Sequence, residues 1–156
     1  MLSQASMYFE INMIRKILDY FHSTESWVDA SLMNHDLLFL MDKLRGSLPS
    51  GCKIKVHRGY GKSNYAKSQH PHGKAVDFHV VGCTFLDAEY HIKNFLAKKN
   101  LANEVGVGLY PDWHNPGFHI DIRGQRARWA MLWQNGSQVM YSYEDGFKYA
   151  QDKFTV

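Results

Sequence analysis

An α+β fold with a small antiparallel sheet and helices packed on it is what this sequence predicts, on three observations. Helical periodicity is concentrated early in the chain, and alternating strand patterns dominate its second half. The two do not interleave in the repeated strand–helix–strand order that a parallel sheet requires. No repeat, low-complexity tract or Pro/Gly/Ser-rich linker divides the 156 residues, of which 45% are hydrophobic, so one domain spanning 1–156 around one core is expected.

Each element follows from a local pattern. Ile11, Ile14, Leu18 and Phe21 recur at helical spacing and predict a first helix. Leu37, Leu40, Met41 and Leu44 share one face of a second, with Gly46 as its C-terminal stop; both helices read as scaffold. "KIKVHRGY" alternates as a strand with Ile54, Val56 and Arg58 on one face, and an arginine continuing an apolar row calls for an anionic partner. Thr84 and Asp87 form a capping box ahead of a helix that carries Ile92, Phe95 and Leu96. A strand is expected near "EVGVGLY". In "GFHIDIRG", Phe118, Ile120 and Ile122 point one way while His119, Asp121 and Arg123 point the other. "WAMLWQNGSQVMYS" reads as a hairpin around Asn135-Gly136, a dipeptide suited to the positive φ angles of a type I′ turn, and a helix from about Tyr143 closes the chain.

Composition narrows the function classes. The formal net charge is +3 with basic residues scattered, which suits a polyanionic surface such as a bacterial wall. There is no Lys/Arg stripe and no nucleic-acid-binding motif, so nucleic acid is not expected as a partner. Cys52 and Cys83 lack metal-type spacing, are too few for a disulfide framework, and read as two buried free thiols. Charges interrupt every apolar run of "MLSQASMYFEINMIRKILDYF", so neither a signal peptide nor a membrane span is expected. A protein of this kind would be made in the cytoplasm and reach a wall only after release or delivery.

The chemistry concentrates in "SQHPHGKAVDFHV", residues 68–80. His70 and Asp77, together with His119, supply two imidazoles and a carboxylate, a set that leaves a tetrahedral Zn²⁺ one open position for water. The seven-residue step from His70 to Asp77 cannot share a helix face, but a loop holding Pro71 and Gly73 and leading into a strand can aim both inward. His119 must then arrive from a neighbouring strand, on the polar face it shares with Asp121.

Ser68, His70, Gly73, Ala75 and Asp77 reproduce the motif Ser-x-His-x-x-Gly-x-Ala-x-Asp, and all five motif residues are present. With "VHRGY" upstream and "GVGLYP…GFHIDIRGQRARW" downstream, the chain from about residue 32 to 129 resembles the zinc D-Ala-D-Ala carboxypeptidase and murein endopeptidase family, within the lysostaphin, D-Ala-D-Ala peptidase and hedgehog superfamily. The resemblance implies a hedgehog/D-Ala-D-Ala-peptidase-like fold, with zinc held by His70, Asp77 and His119. It also implies hydrolysis of a peptide bond in the stem peptide of peptidoglycan, as a carboxypeptidase or an endopeptidase. Zinc supports that chemistry by lowering the pKa of a bound water to about 7 and polarising the carbonyl. A phage-type endolysin acting as a monomer is the expected setting.

Several roles follow from the same resemblance. Arg58 is similar to the family arginine that binds a substrate carboxylate or carbonyl, against the alternative of an ordinary ion pair. Ser68 would bond substrate or cap its turn. Pro116 stands where several family members carry an acidic residue, three positions before the second zinc histidine. Asp121 is therefore either the catalytic base or a carboxylate that orients His119. His114 and Asp112, in "YPDWHNPG", are the fallback proton carriers. His79 shares strand parity with Asp77 and either touches the site or makes a structural hydrogen bond, while His72 is expected to be solvated. Tyr65, Tyr110, Trp113 and Trp129 either line a substrate groove or pack the core. A rival function is a zinc-containing wall-binding module without turnover. A purely structural zinc site is disfavoured, because its usual signature is a Cys-rich four-ligand set.

Overall fold

The structure is a computed structural model that describes residues 18–155. Its core is one six-stranded sheet: β1 (Lys53–Arg58), β2 (Ala75–Val81), β3 (Gly106–Tyr110), β4 (Gly117–Asp121), β5 (Ala127–Gln134) and β6 (Ser137–Tyr141), in the order β1-β2-β4-β3-β5-β6. Three α-helices are described: α1 (His35–Ser47), α2 (Phe85–Lys98) and α3 (Tyr143–Phe154). The α+β expectation therefore holds, with one correction. The sheet is mixed, because β5 runs parallel to β3 while every other neighbouring pair is antiparallel. A parallel pair leaves no local signature in a chain that otherwise reads as hairpins.

Strand alternation divides the sheet into an apolar face and a polar one. Val76 and Phe78 of β2, Val107 and Leu109 of β3, and Phe118 and Ile120 of β4 are all buried on one side. The helices cover that side: Phe85 of α2 stacks on Phe118 with ring centroids 4.6 Å apart, and Gly146 of α3 lies so close to Ala130 that a Cβ would overlap it. Each fully buried Phe or Leu contributes roughly 1.5–3 kcal/mol, so this layer supplies the main driving force for folding. Side chains on the opposite face are left to build a site.

The local signals are realised at the element ends. Thr84 caps α2 by accepting from the Asp87 amide (3.1 Å), and Ser142 caps α3 by accepting from Asp145 (3.1 Å). The β5–β6 turn has φ +51° at Asn135 and +80° at Gly136, the two positive values a type I′ turn requires. Other expectations need correction. Ile11 and Ile14 of the expected first helix lie outside the described residues, and Leu18 and Phe21 stand in an irregular segment. That segment is held by the buried Asp42 carboxylate, which accepts from Tyr20 (2.9 Å) and Asp19 (3.3 Å), and by Phe21 packing edge-on against Trp27. Gly46 does not stop α1; the helix runs through it to Ser47, with Leu48 as C-cap. Leu37, Met41 and Leu44 are buried as expected, while Leu40 is only half-buried. Cys52 and Cys83 are free but half-buried rather than buried. They also touch, and burial with the adjacent Cys52 pushes the Cys83 thiol up to about 12.

The correction that matters most lies at the end of β1. The strand pairs Val56 with Phe78 and then Arg58 with Asp77, so His57 is an extra residue, a β-bulge. Ile54 and Val56 face the core, but the bulge turns Arg58 away from that apolar row and onto the polar face beside Asp77. No helix among the described residues is long and apolar enough to cross a membrane.

The loop from β1 to β2 ends in a 3₁₀ turn at His70–His72 that Gly73 terminates in the left-handed region, φ +64°. A Cβ on Gly73 would overlap the Leu32 carbonyl, and the Gly73 carbonyl accepts from Asn34 (2.9 Å). The backbone at Gly73 thus fastens the His70 turn to the segment ahead of α1. Gly73→Ala is expected to lower stability by at least about 1–2 kcal/mol from the left-handed strain alone, read as a shift in the denaturant midpoint. An unchanged midpoint would show that this turn is not fastened as described.

Candidate metal centre

The polar face of the sheet is organised by register. Asp77 of β2 lies opposite His119 of β4, and His119 in turn lies opposite Gly108 of β3. Directly paired residues in antiparallel strands project on the same side about 4.5–5.5 Å apart, so Asp77 and His119 are delivered together. Adding Arg58 opposite Asp77 and Trp129 opposite Gly108 gives one row of side chains across five strands, Arg58–Asp77–His119–Gly108–Trp129. His70 reaches the row from its 3₁₀ turn.

Donor atoms of His70, Asp77 and His119 all lie within 4.8 Å of one another, the grouping expected from the sequence. His70 Nε2 is 3.2 Å from one oxygen of Asp77, and His119 Nδ1 is 2.7 Å from the other. The far nitrogens are also committed. His70 Nδ1 is 2.6 Å from the Gly59 carbonyl oxygen, and His119 Nε2 is 2.9 Å from Asp121. A carbonyl oxygen only accepts, so His70 Nδ1 carries the proton and its Nε2 turns a lone pair toward Asp77. With Nε2–H of a neutral His119 donated to Asp121, its Nδ1 lone pair faces Asp77 as well. Two nitrogen lone pairs and a carboxylate converge on one point, and a cation there satisfies all three. The residues therefore fit a bound metal ion.

The electrostatics agree. Burial pushes the Asp77 carboxyl up, but the adjacent His119 and His70 rings outweigh it and hold the group well below the usual carboxylate range. Burial depresses His119, yet its contacts with Asp121 and then Asp77 outweigh that and raise it.

Asp121 has no exposed surface. One oxygen meets His119 Nε2, and Arg123 engages both, with Nε 2.7 Å from Oδ1. Burial raises its carboxyl, but Arg123 and then His119 bring it down to about 2. Room for the carboxylate comes from Gly106, where a Cβ would lie 2.7 Å from Oδ1. Asp121 thus sits behind the ring, on the nitrogen turned away from the three converging donors.

The fallback carriers do not face the site either. Asp112 is bound by Lys153 (2.7 Å), Tyr149 (2.8 Å) and the Trp133 amide (2.8 Å), and His114 is exposed and outside the groove lining. Pro116, three positions before His119, is half-buried just before β4.

Above the donors opens a groove of about 780 Å³, lined by Arg58, Ser68, Tyr65, Tyr110, Trp113 and Trp129 together with the donors themselves. Arg58 makes no ion pair among the described residues; its Nη2 donates to the Lys62 carbonyl (2.6 Å). The ordinary-ion-pair alternative is thus not what is found. Ser68 donates its backbone amide to the Tyr65 carbonyl (3.0 Å), and its hydroxyl has no protein partner among the described residues. His79 bonds His57 (2.7 Å), its structural alternative, and His72 is exposed as expected. The four aromatics do not sink into the core. Tyr110 and Trp113 stack at 4.1 Å, and Trp129 lies against His119 at 5.1 Å.

Sequence reasoning assigned no role to Arg123, Gly106 or Gly108. Arg123 was legible only as a member of the polar row in "GFHIDIRG". The two glycines are needed because Asp121 and the Trp129 indole occupy the space their side chains would fill, which only the sheet pairing reveals.

Comparison with protein-family profiles, curated proteins and solved structures finds no match to this chain.

The buried Asp121 generates a prediction. Asp121→Asn removes the negative charge that holds His119 and should weaken zinc affinity by about 10- to 100-fold while the far-ultraviolet circular dichroism is retained. Competition against a chromophoric chelator measures this, and wild-type affinity would remove Asp121 from the metal centre.

Proposed function

We propose that this chain is a zinc-dependent peptidase that hydrolyses a peptide bond in peptidoglycan stem peptides, with a hedgehog/D-Ala-D-Ala-peptidase-like fold. One observation carries the reading: the His70, Asp77 and His119 donors lie in a groove that also presents Arg58, which has no carboxylate partner among the described residues. A three-residue set leaves a metal position open to water, whereas structural zinc is normally closed by four protein ligands. The Ser68–Asp77 motif supports the same reading from the sequence.

In this reading His70, Asp77 and His119 hold the zinc, which activates water and polarises the carbonyl when bound. Arg58 grips a substrate carboxylate or carbonyl with its planar fork, and the bulge at His57 is what turns it toward the groove. Ser68 offers a hydroxyl to the peptide backbone. Asp121 keeps the His119 ring in one orientation and one tautomer, and Arg123 keeps Asp121 charged. The aromatic wall of Tyr110, Trp113 and Trp129 excludes water and supports the stem peptide. A lysis enzyme of the endolysin kind is the setting this reading implies.

One observation favours a second reading, a zinc-containing wall-binding module without turnover. None of the acid–base candidates Asp121, Asp112 and His114 presents a free group to the groove. Digestion of isolated cell walls separates the two. Mass spectrometry of the muropeptides should reveal new termini within the stem peptide, abolished by a zinc chelator and restored by added zinc. Walls that bind the zinc-loaded protein yet yield no new termini would leave only the binding module.

A further inference from the structure

We propose that Tyr110 is a catalytic residue whose phenol donates a hydrogen bond to the oxygen of the scissile carbonyl as negative charge builds there; the inference rests on the peptidase reading above. Tyr110 ends β3 two residues after Gly108, so strand alternation puts it on the same face as His119, and it lines the groove together with the three donors. Its ring is fixed by stacking on Trp113 at 4.1 Å. Its oxygen is fixed by the Trp129 indole, whose Nε1–H donates to it at 3.3 Å. Trp129 is itself lodged over Gly108, where a Cβ would lie 2.7 Å from the indole, and its ring stands 5.1 Å from that of His119. The phenol is thereby positioned relative to the metal centre through rigid aromatic contacts rather than a mobile loop.

The bookkeeping of one proton makes the case. A phenol has one proton to give, and here the oxygen already accepts from Trp129, so the proton must point elsewhere. Among the described residues no acceptor takes it. The free proton is therefore available on the groove side, beside His70, Asp77 and His119, where a substrate carbonyl would come. Burial pushes the phenol up to about 12 despite the Trp129 bond, with the Asp77 and Asp121 charges adding to the rise. Tyr110 thus keeps its proton at neutral pH and acts as a donor, never as a base.

Hydrolysis places the oxygen of water on the carbonyl carbon and breaks the carbon–nitrogen bond, both water protons ending on the departing amine and the acyl part leaving as a carboxylate. On the way the carbonyl π pair moves onto oxygen. That oxygen becomes a stronger acceptor than in the ground state, so a donor aimed at it stabilises the transition state selectively. Tyr110 retains its proton throughout.

Tyr110→Phe keeps the ring and its stacking and deletes only the hydroxyl. For the zinc-loaded variant acting on a purified muropeptide, kcat should fall about 10²- to 10³-fold, as when one oxyanion donor is removed, with KM close to that of the wild type. Affinity for a phosphinate isostere of the scissile peptide should fall in parallel, while zinc affinity stays unchanged and the thermal midpoint falls by no more than the loss of the one Trp129 hydrogen bond allows. A kcat within about threefold of the wild type would overturn the role, that margin being under 1 kcal/mol. A large loss of kcat with unchanged phosphinate affinity would also overturn it. A wild type that cuts no muropeptide at any zinc load would overturn the peptidase reading, and the role of Tyr110 with it.

Discussion

Everything at the candidate site depends on the register in which β2 pairs with β4. Asp77 and His119 are 42 residues apart in sequence, and only their direct opposition brings a carboxylate oxygen within 2.7 Å of an imidazole nitrogen. A slip of one residue would send His119 into the helix-covered layer and bring Phe118 or Ile120 to the polar face. The register is set from the other side, by Val76 and Phe78 of β2 and Phe118 and Ile120 of β4, all essentially inaccessible. The apolar layer that stabilises the fold therefore also aligns the metal donors. This is how a chain with no recognition between its two donor segments at the sequence level brings them to one point.

The same face of the sheet carries a cost that neighbouring contacts offset. Asp121 is a carboxylate without exposed surface, and an unpaired buried charge would be strongly destabilising. Arg123 and His119 compensate it, and Arg123 is in turn packed over the Trp129 ring at 5.3 Å. Gly106 and Gly108 make room for this arrangement from β3. A ligand histidine whose far nitrogen meets a fixed carboxylate is held in one tautomer and made more basic. His70 obtains the same effect from the Gly59 carbonyl. Metal ligation requires an unprotonated nitrogen on each ring, so affinity should be coupled to pH.

What was legible in the sequence was local. The Asn135-Gly136 turn, the Thr84 cap and the alternation of "GFHIDIRG" each depend on a few neighbouring residues and reappear in the structure. The grouping of His70, Asp77 and His119 was legible because a motif with fixed spacing marks the first two, and strand parity marks the third. Features set by distant partners were not. Alternation carried Arg58 along the apolar row, since a bulge at His57 is visible only against β2. Parity put Asp121 beside His119, which is correct, but parity does not say that Arg123 and His119 would bury it behind the ring. Gly46 looked like a helix stop, but a glycine costs only about 1 kcal/mol inside a helix, and packing of Met41 and Leu44 outweighs that.

The central claim is that one metal ion is held by His70 through Nε2 and by His119 through Nδ1, each ring keeping a proton on its other nitrogen. Nitrogen-15 NMR of the histidine rings during a zinc titration tests it most directly. The account predicts that at one equivalent of zinc the coordinated-nitrogen shift appears at His70 Nε2 and His119 Nδ1, while their other nitrogens stay protonated and the remaining histidines are unmoved. A titration that instead shifts the His57 and His79 rings, or leaves His70 and His119 unchanged, would contradict it.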